Sequence, residues 1–378
     1  MNTLESQLTT LTEIAHNPAA QLNGFVADGK KVVGCFPEYA PEELVYALGM
    51  VPFGIWGSEG KEISEAKRYF PPFYCALALS SLEMGLRGEL NKLSAVMIPI
   101  LCDTLKCLGQ NWKVGVPDIP FIQIKHPQNR KIEAGITFLT KEYRRIGERL
   151  SEIAGTELTE QALAEAITLY NEHRAVMREF SEVAGRYPHL ISPAQRNDVI
   201  KSGYFMLKPD HTAAVKAIIA LCRQEAETPW QGHKVVVAGI IADSRELLSM
   251  FADNRMAIVA DEVAHESRQF RTDVPVDADP FRAMALQLSD MDGCSLLFDP
   301  EKQRGAHLVD LVKKHDADGV IYLLTKFCDP EEFDLPIVRK EMEKAGIPFI
   351  AIEVDQQTQS YEQARTALQT FADVMVAN

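Results

Sequence analysis

The chain has 378 residues, 46% of them hydrophobic and 24% charged, and a formal net charge of -14. That length calls for two or three domains with substantial apolar interiors, and the composition excludes a disordered or fibrous protein. The acid excess, without any block of clustered Lys and Arg, argues against a nucleic-acid partner, and no apolar run approaches the roughly 18 residues of a membrane span.

The opening MNTLESQLTT has neither a basic flank nor a long apolar stretch, so a cytoplasmic location with no membrane partner is expected. In a reducing compartment the seven cysteines read as buried thiols, metal ligands or redox groups, not as a disulfide scaffold.

Residues 1–30 predict an amphipathic helical lead-in. The stretch KKVVGCFPEYAPEELVYALGM then gives a strand through Val33, a turn carrying Cys35 and Pro37, and a helix. Pro41 lies near that helix's start, Glu42 and Glu43 in its first turn, and Gly49 at its stop. VPFGIW is the next strand. FPPFYCALALSSLEMGLRGEL, around Cys75, predicts a helix that begins after Pro72 and buries one face. The strand SAVMIPIL, a helix from Asp103 and the strand FIQIKH complete an alternation typical of parallel sheets.

From Ile132 to about Glu227 the pattern is helical. Leu163, Ile167, Tyr170, Arg174 and Met177 recur at helical spacing, and Ser192-Pro193 reads as a cap followed by a first-turn proline. AETPWQGHK, residues 226–234, reads as a linker into a second alternating region. Its strands are KVVVAGII, MAIVAD, GVIYLLTKF and PFIAIEVD, with helices from about Ser244, Pro280, Lys302, Pro330 and Thr358. The expected class is therefore α/β, with two parallel-sheet domains and a helical connecting region. The parts are a helical lead-in with the first α/β domain (1–131), the helical region (132–227) and the second α/β domain (228–378).

Cys102-Asp103 and Cys328-Asp329 each close a strand-like run just before a helix, and Cys35 sits at a third such end. Ligands of open parallel sheets bind outside the carboxyl ends of the strands. A helix amino terminus also favours the thiolate, which is the form that binds metal. Cys222, Cys294 and Cys107 read instead as small buried apolar side chains. Pattern alone does not rank Cys35 against Cys75. The sequence contains no C-x-x-C, no H-E-x-x-H, no Walker lysine loop and no G-x-G-x-x-G after a strand. Structural zinc, metalloprotease, ATPase and ordinary dinucleotide readings therefore fall. A site built from single cysteines far apart in sequence remains, and it suits an iron-sulfur cluster clamped between two domains.

The stretches GCFPEYAPEELVYALGMVPFGIWG, LCDTLKCLGQNWK, HPQNRK, YNEHR, VIKSGYFM, ADSRELL, RQFRTDV and KFCDPEEFD run over essentially the whole chain. Together they resemble the β subunits of (R)-2-hydroxyacyl-CoA dehydratases, in a superfamily shared with benzoyl-CoA reductases. The resemblance implies two Rossmann-like domains and a heterodimer with a homologous α subunit, each subunit holding one [4Fe-4S] cluster. The family's cluster ligands fall on Cys75, Cys102 and Cys328. Cys35 is implied as a neighbour of the cluster or as its fourth ligand.

The chemistry implied is dehydration of a 2-hydroxyacyl thioester through a ketyl radical, because the β proton is far too weakly acidic for a side-chain base near neutral pH. An ATP-dependent iron-sulfur activator would supply the electron transiently, and the α subunit would hold the acyl-CoA. This chain would then be a relay with no catalytic residue of its own. A stand-alone electron carrier or a homo-oligomeric cluster reductase on the same fold is the alternative. Asp103 and Asp329 are expected to cap helix starts. Arg268 and Arg271 face either a CoA phosphate, a partner subunit or structural ion pairs, and Trp56 and Trp112 are core or interface anchors.

Overall fold

A computed structural model describes residues 3–358 and 360–377. The first two residues of the predicted lead-in, position 359 beside the predicted Thr358 helix start, and the last residue of the second region lie outside the described residues.

Two four-stranded sheets, both entirely parallel, organise the chain. The first contains β1 (Val32–Cys35), β2 (Val51–Gly54), β3 (Ala95–Pro99) and β4 (Phe121–Ile124) in the order 2-1-3-4. The second contains β5 (His233–Gly239), β6 (Met256–Val263), β7 (Gly319–Thr325) and β8 (Phe349–Val354) in the order 6-5-7-8. The orders are the same once the second set is renumbered, so one wiring occurs twice. This bears out the α/β expectation and makes two structurally related halves visible.

The strands read as near-continuous apolar runs because parallel sheets are covered on both faces. Val32, Val96 and Ile98 point into one apolar cluster, and Val33, Cys35, Ala95 and Met97 into another on the opposite face. The second sheet repeats the alternation: Val235, Val237, Ile321 and Leu323 face one side, Val236, Ala238, Val320 and Tyr322 the other. Two-residue periodicity thus divides each half into two packed layers.

Helices α1 (Leu4–His16) and α2 (Pro18–Ala27) form the lead-in. After β1 comes α3 (Glu42–Ala47), and α4 (Ala76–Leu86) follows β2. Helix α5 (Asp103–Gly115) connects β3 to β4. Between the sheets run α6 (Glu133–Ala154), α7 (Glu160–Arg186), α8 (Pro193–Ser202) and α9 (Lys208–Cys222). Ser192 caps α8 as its sequence suggested, in a reciprocal box with Gln195. The second half adds α10 (Arg245–Asp253), α11 (Pro280–Asp290), α12 (Arg304–His315), α13 (Asp329–Ala345) and α14 (Glu362–Ala377). Two details differ from expectation. Helix α14 starts at Glu362, not near Thr358, and α4 is buried on nearly every side, not along one face. The second difference follows from position, because α4 lies where the two halves meet.

The carboxyl ends of the two sheets face each other across that meeting. Gly60 N donates to Gln356 O (2.8 Å), Gln356 Nε2 to Trp56 O (2.9 Å), Ser80 Oγ to Gln356 Oε1 (3.2 Å) and Tyr361 OH to Glu59 (2.9 Å). Gly57 is required at this seam. Its φ is +75°, and a Cβ there would stand 2.3 Å from both Gln356 Oε1 and Ser80 Oγ. Trp56 also meets His265 edge-on at 4.7 Å, as an anchor across the two halves, while Trp112 is fully buried against Phe36. No helix among the described residues is long and apolar enough to cross a membrane.

Candidate cofactor site between the two sheets

Three helices begin with a cysteine at the cap position: Cys75 for α4, Cys102 for α5 and Cys328 for α13. Cys102 follows β3 and Cys328 follows β7, the equivalent strands of the two sheets. Each lies at the point where strand order reverses beside the first strand of its sheet, the crevice in which open parallel sheets bind ligands. The matched Cys-Asp corners are thus the same place in two halves of one architecture.

All three thiols are only partly exposed and border the same apolar cluster, whose side chains include Phe36, Leu79, Leu105 and Leu108. Burial pushes the Cys102 thiol up to about 12, against the amides of Leu105 and Thr104, with Cys75 and Glu38 pushing it further. Burial also raises Cys75, against the amides of Ala78, Leu77 and Cys75 itself. Cys328 is raised by burial, then by Glu331 and Cys75, while the Glu331 amide lowers it and Cys102 raises it. Each sulfur is therefore within electrostatic reach of the others, and each is met by first-turn amide dipoles of its own helix. The geometry is direct at Cys102, whose Sγ accepts from Leu105 N at 3.4 Å.

With these upward shifts the thiols are protonated at neutral pH, so a cation binding here must displace protons. Among the described residues no group of three or more His, Cys, Asp or Glu side chains is close enough to hold a single metal ion. The donor set is all soft sulfur, which suits iron-sulfur chemistry.

Cys35 lies elsewhere. Its side chain packs in the cluster on the opposite face of the first sheet, and its thiol is 3.6 Å from Val33 O. Burial raises it, and its charged neighbours Glu42, Lys208 and Glu43 line a cavity of about 80 Å³ between α3 and helices α7 to α9. Cys222 is fully buried in the helical block, as expected. Asp103 and Asp329 are not the caps: the preceding cysteines are, and each aspartate sits one residue inside, where a negative charge complements the helix dipole.

Arg268 faces no open pocket. It is wholly buried, with Nε 2.5 Å and Nη2 2.8 Å from the two oxygens of Glu262 and a longer 3.5 Å approach to Glu331. Arg304 completes the network, reaching Glu262 at 2.9 Å and Glu331 at 2.9 Å. Arg271 adds a 3.5 Å contact to Glu262, so both flagged arginines serve structural ion pairs.

Two residues gain importance that the sequence did not disclose. Cys294, read as an inert core thiol, is buried but polar in company: Arg268 Nη1 donates to its sulfur at 3.6 Å, and the thiol reaches Glu38 Oε2 at 3.7 Å. Glu38, in the loop leaving β1, is 1% exposed. The only available signal was an acidic residue in the first loop at the carboxyl edge of the sheet.

Two parallel sheets of one wiring, with three cysteine-capped helix starts bordering one apolar cluster, define a two-part α/β protein. The chain belongs to the family described as 2-hydroxyglutaryl-CoA dehydratase, D-component, whose model matches residues 37–375. It is 46% identical over 364 residues to the (R)-phenyllactyl-CoA dehydratase beta subunit of Clostridium sporogenes, covering 96% of this chain and 97% of that one. It is 43% identical over 377 residues to the lactoyl-CoA dehydratase subunit beta of Anaerotignum propionicum, covering 99% and 100%. The (R)-2-hydroxyglutaryl-CoA dehydratase subunit beta of Acidaminococcus fermentans is 42% identical over 366 residues, covering 96% and 97%.

Proposed function

We propose that this chain is the β subunit of a heterodimeric (R)-2-hydroxyacyl-CoA dehydratase, a hydro-lyase in which it holds a [4Fe-4S] cluster through Cys75, Cys102 and Cys328. The observation that carries this reading is the meeting of three cysteine-capped helix starts, from both halves, at one crevice. The relatives' names, beta subunits of three dehydratases acting on different 2-hydroxyacyl-CoA thioesters, support the reaction class and a partner subunit.

Held by Cys75, Cys102 and Cys328, a cluster would supply one-electron chemistry at low potential, as a relay between an ATP-dependent iron-sulfur activator and an acyl-CoA on the α subunit would require. There the substrate loses water through a ketyl radical to give the (E)-2-enoyl thioester. This chain's residues prepare that step. The amides at the starts of α4, α5 and α13 lower the energy of anionic sulfur, and the apolar wall of Phe36, Leu79 and Leu105 limits water. With three cysteines as ligands a fourth would come from outside that set, and the packing of Cys35 on the far face of the first sheet argues against that thiol as the fourth.

The test is reconstitution of dehydration from separately purified subunits with activator and ATP. The isolated chain is expected to be inactive until the α subunit is added. Reductive activity by this chain alone would contradict the reading and favour a self-sufficient cluster reductase.

A further inference from the structure

Glu38 is buried in the loop that leaves β1. Its Oε2 meets the Cys294 thiol at 3.7 Å, and its Oε1 has no hydrogen-bond partner. The cations nearby are already committed: Arg268 and Arg304 are shared between Glu262 and Glu331. Arg271 adds a contact to Glu262, and among the described residues no ion pair joins a cation to Glu38, on which Arg268 acts only through space. It also acts through space on Cys102.

Several elements bring titratable and charged groups within electrostatic reach of Glu38. Glu262 comes from β6, Arg268 from the segment after it, Glu331 from α13, Cys294 from the loop before α12, Cys102 from the start of α5, Tyr204 from the segment after α8, and Tyr39 from its own loop. Glu262 and Glu331 resist burial because their arginines hold them charged, and burial keeps the thiol of Cys294 and the phenol of Tyr39 neutral. Glu38 is pushed up to about 7, by burial first and by Glu331 and Glu262 against Arg268. It is the member of this set that changes charge near neutrality.

We infer that Glu38 is the proton-accepting residue of the cysteine site, binding one proton when an electron is delivered to the cluster. A negative charge added in a low-dielectric crevice raises the proton affinity of the nearest buried carboxylate that no cation has fixed. The step balances simply. One electron enters from a low-potential one-electron reductant, and one solvent proton forms an O–H bond on Glu38; both are released on reoxidation. No other bond changes. The inference rests on the cluster reading above and adds to it a named residue that limits the build-up of charge.

The experiment measures the midpoint potential of the reconstituted full-length chain from pH 6 to 9, for the wild type and Glu38→Gln, with iron and sulfide assayed in each sample. The amide keeps the shape and a hydrogen-bond acceptor for Cys294. The wild-type potential should fall as pH rises, approaching one proton per electron, while that of Glu38→Gln stays flat. Reduced-minus-oxidised infrared spectra should show a protonated carboxyl band in the wild type that the variant lacks. A flat wild-type profile, or parallel slopes in the two proteins, overturns the assignment of Glu38 while leaving the cluster in place. A chain that takes up no iron overturns the cluster reading itself, and this inference with it.

Discussion

Cys102, Cys328 and Glu38 mark the site at the scale of single residues, and each has a distinct expected signature. Cys102→Ser or Cys328→Ser should lose most of the bound iron while the fold persists, because apolar layers of many other side chains pack both faces of each sheet. Cys222→Ser, in the helical core, should retain it. Iron analysis with near-ultraviolet and visible absorbance decides both. Glu38 has a consequence in the cluster-free protein as well. Its folded value of about 7 lies above the ordinary 4.5. The stability it contributes is therefore full below about pH 4.5 and is lost as pH rises through 7. Relative to Glu38→Gln, the wild type should lose about 3 kcal/mol over that window, measurable by denaturant titration at each pH. Cys102 and Cys328 were legible because an apolar strand, a cysteine and a helix start follow one another in each. Cys75 lacks a preceding strand and was reached through the family's motifs. Glu38 was hidden because burial of a lone loop carboxylate is set by residues more than two hundred positions away, Glu262, Arg268 and Glu331 among them.

At the scale of elements, the helices that present the cysteines are fixed by buried polar contacts. Glu83 of α4 accepts from Ala66 N (2.8 Å), Ser64 N (3.2 Å), Ser64 Oγ (3.1 Å) and Arg87 Nε (2.6 Å), binding the helix that Cys75 starts to the loop before it. Glu83→Ala would orphan those donors, with an expected cost of about 1–3 kcal/mol. Arg268→Ala would leave Glu262 and Glu331 partly uncompensated beneath α13, at an expected cost of about 3–5 kcal/mol, and should loosen the Cys328 helix start. Thermal unfolding of the two variants checks both. The strands and most helix starts were readable from apolar runs and from prolines and cap residues, because those signals are local. The all-round burial of α4 and the capping by cysteine in place of aspartate were not, because they depend on what the opposite half of the molecule packs against.

The whole molecule is two sheets of one wiring set carboxyl end to carboxyl end, with the seam at Gly57, Ser80 and Gln356 holding the crevice closed. Sequence suggested the relation through the repeated Cys-Asp corner, but the shared strand order needed the fold, since pairing order is not written in local pattern. A dividing site of this kind should make each half insufficient, so that Gly57→Val, which forces the seam apart, lowers iron content without touching any cysteine. The central claim is that three thiols from both halves hold one cluster. The most direct measurement is iron and acid-labile sulfide in the anaerobically reconstituted full-length chain beside its Cys75→Ser/Cys102→Ser/Cys328→Ser variant. The account predicts about four of each per wild-type chain and almost none in the folded variant. Equal iron and sulfide in the two proteins would contradict it.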